Sequence, residues 1–566
     1  MGTIVETKAQ RVERLKREKN AWQAFDEIRE FARMGRASVP PEWLSTYFRT
    51  WGVYTQGDGA GVLGGQNGEG KATPFFMVRI RIPNGMLASD QARTVADLSE
   101  KHARGLADIT VRQNVQLHWV TLESLPEIFE RLWSAGLTTK GACGDVARNV
   151  TGCPLAGLDA DEIVDASPLA LAMDRELGGN DAFYNLPRKF KMSITGCRHW
   201  CTYPEINDAG FTAVTRRRNG TVETGFSLRV GGGLSTHPHL AVRLDVFVRS
   251  EQVVATARGV AEIFRGSQAL RQSREKARLK FLFLEHGWTA ERFLDELERL
   301  VGFRFDRAVP EEPPADVCRD HVGIHAQKQE GLAYIGGSVL RGRITPAQLR
   351  AAADLADRFG DGRLRTTIMQ NLVLANIQRE NAPLVAKELE HAGLPVTASP
   401  FARGTIACTG SEFCKLALTE TKGFARWLAD ELEDRLPGFQ EQIKLHITGC
   451  PNSCGQHWIA DIGLEGKKAK VNGHMVDAYY FTVGGGSGQF ASIARAVGYR
   501  CAASEVPDAI ERLLHGYNAL KAGGETLRAF FARHTTEEIR GLLSGAFVAP
   551  VERNFAVTSV PQGVEG

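Results

Sequence analysis

The 566-residue chain is 43% hydrophobic and 24% charged, with a formal net charge of +3, the make-up of a folded protein large enough for several cores. So small a charge, with no basic run interleaved with aromatics, argues against nucleic acid or a membrane surface as partner. No apolar run reaches the ~18 residues that a membrane span needs, and the mixed-charge start (Arg11, Arg14, Lys16, Arg17, Glu18, Lys19) lacks the apolar core of a signal peptide. A cytoplasmic monomer is the expectation, its ten cysteines serving as metal ligands or buried thiols rather than disulfides.

In chain order, residues 1–72 read as an N-terminal extension ending in a glycine-rich loop, Gly57–Gly70, without strand or helix periodicity. A unit over 73–158 follows: a β-rich run Phe75–Ile82, an amphipathic helix near Ser89–His102, a strand over Ile109–Trp119 and a helix over Leu125–Ala135. This alternation is of ferredoxin-like kind. Residues 159–307 carry a strand leading into Ile194-Thr-Gly-Cys197 and a Val230-Gly-Gly-Gly233 turn, and 308–317 is a stiff Pro-rich joint. The pattern then restarts with a second ferredoxin-like unit at 318–398, a second cysteine-bearing unit at 399–545 and a tail at 546–566.

The second half is a copy of the first. Ile194-Thr-Gly-Cys197 recurs as Ile447-Thr-Gly-Cys450, Cys201 falls on Cys454 and Val230-Gly-Gly-Gly233 on Val483-Gly-Gly-Gly486, all at an offset of 253. Arg148-Asn-Val-Thr-Gly-Cys153 lies against Arg403-Gly-Thr-Ile-Ala-Cys408 at 255, and Gln113-Asn114 matches Gln370-Asn371 at 257. Collinear matches with a slowly drifting offset mark a duplication with small loop deletions. The expected fold is α+β, two pseudo-symmetric halves, each a ferredoxin-like unit plus a larger α/β unit. The triple glycines read as turns rather than phosphate sites.

Four cysteines of the second half, Cys408-x5-Cys414 and Cys450-x3-Cys454, are the thiolate set that a [4Fe–4S] cluster takes, one soft sulfur per iron. Gly449 and Gly455 beside them would let the backbone approach a bulky inorganic core. A structural zinc site also uses two cysteine pairs, at internal spacings of about two to four residues, which the five-residue spacing fits poorly. The first half has Cys153, Cys197 and Cys201 but Asp159 at the position of Cys414, so these three read as inert buried thiols left from a symmetric ancestor. Cys143, Cys318 and Cys501 have no partner pattern. Instead the first half carries cations. Arg79 and Arg81 alternate on one strand, Arg112 lies on another, Arg148 precedes Cys153, and Lys189 and Lys191 share a face of an extended run. Each alone is an ordinary surface charge; a convergent set would be an anion pocket.

Phe76-Met-Val-Arg79-Ile-Arg81, Thr110-Val-Arg112-Gln-Asn, Arg148-Asn-Val-Thr-Gly, Leu186-Pro-Arg-Lys-Phe-Lys191 and the four second-half cysteines resemble the sirohaem-dependent assimilatory sulfite and nitrite reductases, from Trp51 to about Leu543. The resemblance implies sirohaem between the halves and a [4Fe–4S] cluster on Cys408, Cys414, Cys450 and Cys454, with the Cys454 thiolate shared between cluster and sirohaem. It implies that Arg81, Thr110, Arg112 and Gln116 meet the sirohaem carboxylates, and that Arg79, Arg148, Lys189 and Lys191 surround the small oxyanion substrate. Lys189-Phe-Lys191 is similar to the Lys-x-Lys of sulfite reductases, where nitrite reductases tend to have Lys-x-Asn, so six-electron reduction of sulfite to sulfide is expected, with nitrite to ammonia as the alternative. A cluster protein without reductase activity is a minor alternative that would not need the cations. Some sulfite-reducing members also carry a Tyr–Cys link beside the pocket. Tyr54 matches the tyrosine, but Val146 stands at the cysteine's apparent place, so no link is expected. No Gly-x-Gly-x-x-Gly follows a strand, and no length remains for flavin and nicotinamide domains. Electrons must come from another protein. The resemblance implies a small acidic ferredoxin, with a flavoprotein as the alternative, and Lys467–Lys470 or Arg216–Arg218 as candidate docking runs.

Overall fold

The computed structural model describes residues 6–56, 73–314 and 319–547; the Gly57–Gly70 loop and Cys318 lie outside them. Four sheets carry the fold. The first runs in the order Val53–Thr55, Phe76–Ile80, Val115–Val120, Ala107–Ile109, Arg343–Ile344, and the third in the order Gly323–Ala326, Leu332–Gly337, Leu372–Gln378, Arg363–Thr366, Met86–Ala88. Each of these ferredoxin-like sheets ends on a strand lent by the other half. Arg343 pairs with Asp108 and Arg365 with Met86. The helices Ser89–His102 and Pro346–Phe359 pack on each other, and one apolar core runs through both units, from Ile80 and Leu117 to Ile335 and Leu374. Edge strands that would otherwise expose unpaired N–H and C=O groups are thereby covered. The exchange makes the two units one body. The strand Val53–Thr55, within the segment read as an extension, holds the place that Gly323–Ala326 holds in the other half.

The second and fourth sheets bear the cysteines. In each, three parallel strands (Ala147–Gly152, Phe190–Thr195 and Ala209–Arg218; Thr405–Ala407, Leu445–Thr448 and Ile462–Val471) continue into an antiparallel hairpin partner, Thr221–Val230 or His474–Val483. The duplication is written into the backbone itself. Left-handed residues recur at Gln113 and Gln370, Asn84 and Arg341, Trp119 and Asn376, each pair 257 positions apart, and at Trp200 and Ser453, Tyr203 and Gln456, 253 apart. Non-glycine residues adopt positive φ rarely, so their repetition fixes the register of the copies. The triple glycines are turns, with Gly231 and Gly484 both at φ +75. The described part of the Pro-rich joint is anchored, since Glu311 pairs with Arg229 at 2.5 Å and Arg243 at 3.2 Å.

The Gln-Asn repeat now has a physical reason. Gln113 Nε2 donates across to Thr366 O at 3.0 Å while its Oε1 accepts from Gly152 N at 3.0 Å. Gln370 makes the mirror contacts, to Ile109 O at 2.9 Å and from Ala407 N at 3.1 Å. Each glutamine ties its own cysteine-bearing strand to the opposite ferredoxin-like unit. Both are buried, so Gln113→Ala strands two backbone groups and is expected to cost about 3 kcal/mol. A urea denaturation series with Gln370→Ala alongside checks it. A loss under about 0.5 kcal/mol would be that of an ordinary surface change.

Candidate functional site

Cys408 follows the strand Thr405–Ala407 and Cys450 follows its parallel neighbour Leu445–Thr448, so both thiols arrive at the same end of one sheet. Cys414 comes from the turn after Cys408, where its N–H donates to Gly410 O at 2.9 Å. Cys454 comes from the turn after Cys450. The charges of Cys408, Cys414 and Cys450 all couple to that of Cys454. The structure thus brings the four sequence-predicted cysteines together. Gly449 N donates to Cys408 Sγ at 3.2 Å and Asn452 Nδ2 to Cys450 Sγ at 3.5 Å, donors of the kind that tune a thiolate-bound metal. Burial, then the charge of Cys454, raises the Cys408 thiol and pushes Cys414 up to about 12. These thiols therefore lose their protons to a bound metal, not to solvent. The flanking glycines have a different purpose from the one expected. A Cβ on Gly455 would sit 2.2 Å from Ile447 O, and one on Gly449 3.0 Å from Ala417 Cβ and Thr419 O. They admit protein backbone rather than an inorganic core.

The cations gather on the first-half side. Ala147 pairs in parallel register with Phe190 and, past a bulge, Val150 with Met192, which puts Arg148 and Lys191 at the starts of two adjacent strands. Arg148 is aimed by three hydrogen bonds to the Ala142 and Gly144 carbonyls, at 2.8 to 3.0 Å. Arg79 lies opposite Gln116 in the first sheet, donates to its Oε1 at 3.3 Å and feels the charges of Cys454 and Cys414. Gln116 Nε2 in turn reaches Thr409 Oγ1, beside Cys408, at 3.5 Å. Arg112 donates to Asn207 Oδ1 and to the Asn149 and Met192 carbonyls. Among the described residues Arg79, Arg112, Arg148, Lys189 and Lys191 make no ion pair with a carboxylate. All five are half-buried, deep in the protein with part of their surface open, as residues lining a cleft are. Burial, then Arg148, lowers Arg112 to about 9; burial, then Arg278 and Arg188, lowers Lys189 to about 7; burial, then Lys189 and Arg112, holds Lys191 well below its ordinary value. Like charges gathered without counterions are costly unless an anion neutralises them.

Two sequence expectations change. Arg81 shares the face of Arg79 but is not an open cation. Its guanidinium is buried against the Asp174 carboxylate at 3.0 Å and donates to the Lys140 and Asp174 carbonyls at 3.1 and 3.2 Å. Asp174 lies on the helix Ser167–Leu177, far off in sequence, so no local pattern could announce the pair. The thiol beside the pocket is Cys143, not Val146. Cys143 Sγ accepts from Arg79 Nη1 at 3.0 Å, and the Tyr54 ring lies 6.0 Å from the same guanidinium, whereas Val146 is packed into the ferredoxin-like core. The ground for expecting no Tyr–Cys link therefore falls. Thr110 Oγ1 closes its own turn, accepting from Arg112 N at 3.3 Å and Asn114 N at 3.1 Å. Sequence reasoning missed Asp208, whose carboxylate accepts from Lys191 N at 2.8 Å and pairs with Arg278 at 2.9 Å; the repeat could have found it, since Asp461, 253 positions on, accepts in the same way from Lys444 N at 2.7 Å.

A duplicated α+β chain that sets four thiols against half-buried cations, none ion-paired with a carboxylate among the described residues, is suited to a metal cluster working on anionic partners. Residues 143–305 and 399–547 match the nitrite and sulphite reductase 4Fe-4S domain, and 69–135 and 325–392 the nitrite/sulfite reductase ferredoxin-like half domain. The chain is 38% identical over 562 residues to the assimilatory ferredoxin-dependent nitrite reductase of Haloferax mediterranei, covering 94% of this chain and 92% of that one. It is 36% identical to sulfite reductase [ferredoxin] 1 of Mycolicibacterium paratuberculosis, covering 91% and 92%. The structure of the NirA protein of Mycobacterium tuberculosis superposes with a TM-score of 0.88 at 35% identity, covering 94% and 97%. The chain belongs to the nitrite and sulfite reductase family.

Its cofactors are a [4Fe–4S] cluster and sirohaem, and the residues present fit them: four soft thiol donors, two of them with N–H groups on their sulfurs, facing half-buried cations of the sign that a polycarboxylate tetrapyrrole needs. No helix among the described residues is long and apolar enough to cross a membrane.

Proposed function

We propose that this protein reduces sulfite to sulfide with six electrons taken from a ferredoxin. Cys408, Cys414, Cys450 and Cys454 would hold the cluster, with Cys454 shared with sirohaem. Arg112, Gln116 and the free hydroxyl proton of Thr110 would meet sirohaem carboxylates, while Arg81, spent on Asp174, would support the wall rather than touch the ring. The bound cofactors supply the electrons and the metal that the oxyanion binds. The protein's own part is charge and protons. Arg79 and Arg148, fixed by carbonyl and amide acceptors, orient the oxyanion. Lys189, lowered by burial and by Arg278 and Arg188, and Lys191, lowered by burial and by Lys189 and Arg112, are poised to give up protons as oxygen leaves as water.

The observation that carries sulfite over nitrite is Lys191 standing beside Lys189 with no acidic partner among the described residues. A sulfite dianion gains more from each cation than a nitrite monoanion does. Against it stand relatives named for nitrite as well as for sulfite, so activity on both anions is expected. Steady-state kcat/KM for each, with reduced ferredoxin and then with a reduced flavoprotein as donor, tests the reading; a tenfold preference for nitrite, or turnover with the flavoprotein alone, overturns it. As for docking, Lys467 pairs with Glu465, Lys468 with Asp477 and Arg216 with Glu223 and Asp306. Of those runs, Arg217 and Lys470 are exposed without an acidic partner among the described residues.

Lys189 also sets a pH dependence. It is cationic below about pH 7 and neutral above, so anion capture is complete on the acid side and fades as pH rises. With nitrite, which keeps one charge throughout this range, log kcat/KM is expected to fall above about pH 7. Lys189→Arg, whose charge persists, should flatten that limb; an unchanged limb would assign it to another group.

A further inference from the structure

The pocket that mirrors the cluster site in the first half is not made of idle thiols. Cys153 follows the strand Ala147–Gly152 and Cys197 follows Phe190–Thr195, as Cys408 and Cys450 follow theirs. The Sγ atoms of Cys153 and Cys201 and a ring nitrogen of His321 all lie within 4.8 Å of one another. Cys197 Sγ is 3.4 Å from Cys201 Sγ, and Cys153 is within hydrogen-bonding reach of both. Cys153, Cys197, Cys201 and His321 are 1%, 2%, 5% and 2% exposed, in a wall of Leu155, Leu158, Tyr334 and Val373.

His321 is the telling residue. Neither of its ring nitrogens has a hydrogen-bond partner among the described residues, although buried polar atoms are nearly always satisfied. Its backbone sits at φ +65, a conformation that costs a non-glycine residue energy and persists where the surroundings require it. Asp159, at the position of Cys414, cannot serve as the fourth donor without breaking its pair with Arg319, whose second contact is 3.2 Å. The imidazole two residues beyond Arg319 supplies that donor from the other half of the molecule.

We propose that Cys153, Cys201 and His321, whose donor atoms already lie within 4.8 Å of one another, form a second, closed metal site that takes a single zinc ion, with Cys197, its Sγ 3.4 Å from that of Cys201, moving in to complete the set. Three thiolates and one imidazole are a tetrahedral structural set. Two thiolates on one such ion, each about 2.3 Å from it, stand about 3.8 Å apart, close to the separation of Cys197 and Cys201. A cubane would set each thiolate on a different iron, across the whole width of the cluster, and these sulfurs are too close for that. The apolar wall leaves no coordination position open to solvent, so the ion is structural. Three thiolates on a divalent ion leave one negative charge, and Arg319 lies close enough to lower Cys201. Because Cys153, Cys197 and Cys201 belong to the first half and His321 to the second, the ion pins the halves together.

Metal analysis of the purified holoenzyme tests this. One zinc ion per chain is expected beside the iron, lost from Cys153→Ser/Cys201→Ser and from His321→Gln while the cluster iron and the visible spectrum remain. Since the double variant could fail to fold, cobalt exchange into the wild-type holoenzyme is the second measurement; thiolate-to-cobalt charge-transfer bands and tetrahedral d–d bands are expected. The proposal is overturned by wild-type enzyme without zinc, by zinc that survives both variants, by extra iron in place of zinc, or by a Cys197–Cys201 disulfide in thiol titration.

Discussion

Serine at Cys408, Cys414 or Cys450 is expected to strip the iron–sulfur cluster and lower turnover on both anions by more than about a hundredfold, since even residues that only support metal ligands cost about 10- to 100-fold. A serine hydroxyl is hard and holds its proton far above the pH at which even the raised Cys414 thiol yields to a metal. Cys454→Ser is expected to go further. If its sulfur is shared, tetrapyrrole absorbance should shift along with the loss of iron. Cys197→Ser should leave the cluster in place, because Cys197 stands in the other half's pocket. Iron and acid-labile sulfide content, with visible spectra on the same samples, decide it. Full iron in Cys450→Ser would refute the ligand set, and unchanged tetrapyrrole absorbance in Cys454→Ser would refute the shared thiolate.

That Cys408, Cys414, Cys450 and Cys454 come together could be read from sequence because their geometry is local. Two of them follow adjacent parallel strands and two sit in the turns that come next, so spacing along the chain carries the arrangement. The duplication was legible for a related reason, since Gln113 and Gln370 keep the same cross-half bonds in both copies. What stayed hidden depends on long-range pairing. The exchange of edge strands needs Met86 to meet Arg365, and nothing in either segment states a preference for that partner. Arg81 and Arg79 look alike on one strand, yet one is consumed by Asp174 and the other left open. Cys143 escaped because it belongs to no repeat, and His321 because a metal-ligand histidine is recognised by its neighbours in space, which here come from the other half.

The substrate preference is expected to turn on Lys191. Burial, Lys189 and Arg112 together hold its amine well below the ordinary lysine range, and an anion set against it favours the charged form. A dianion restores that charge more strongly than a monoanion does, and binding should therefore take up a proton. Asparagine at this position removes both the recovered charge and the proton. Each unit of charge on the anion interacts with a cation at about 4 Å by about 1 kcal/mol in water and about 4 kcal/mol near a protein surface. Loss of one cation should thus cost sulfite about 1–4 kcal/mol more than nitrite, a swing in relative kcat/KM of about fivefold to about a thousandfold. Lys191→Arg, which keeps a permanent charge, should retain most of the sulfite preference but lose the proton uptake seen when sulfite binds in unbuffered solution. Lys191→Asn with an unaltered sulfite-to-nitrite ratio would mean that charge at this position does not choose the substrate. In that event the preference would rest on Arg79 and Arg148, whose aim is fixed by Ala142, Gly144 and Gln116.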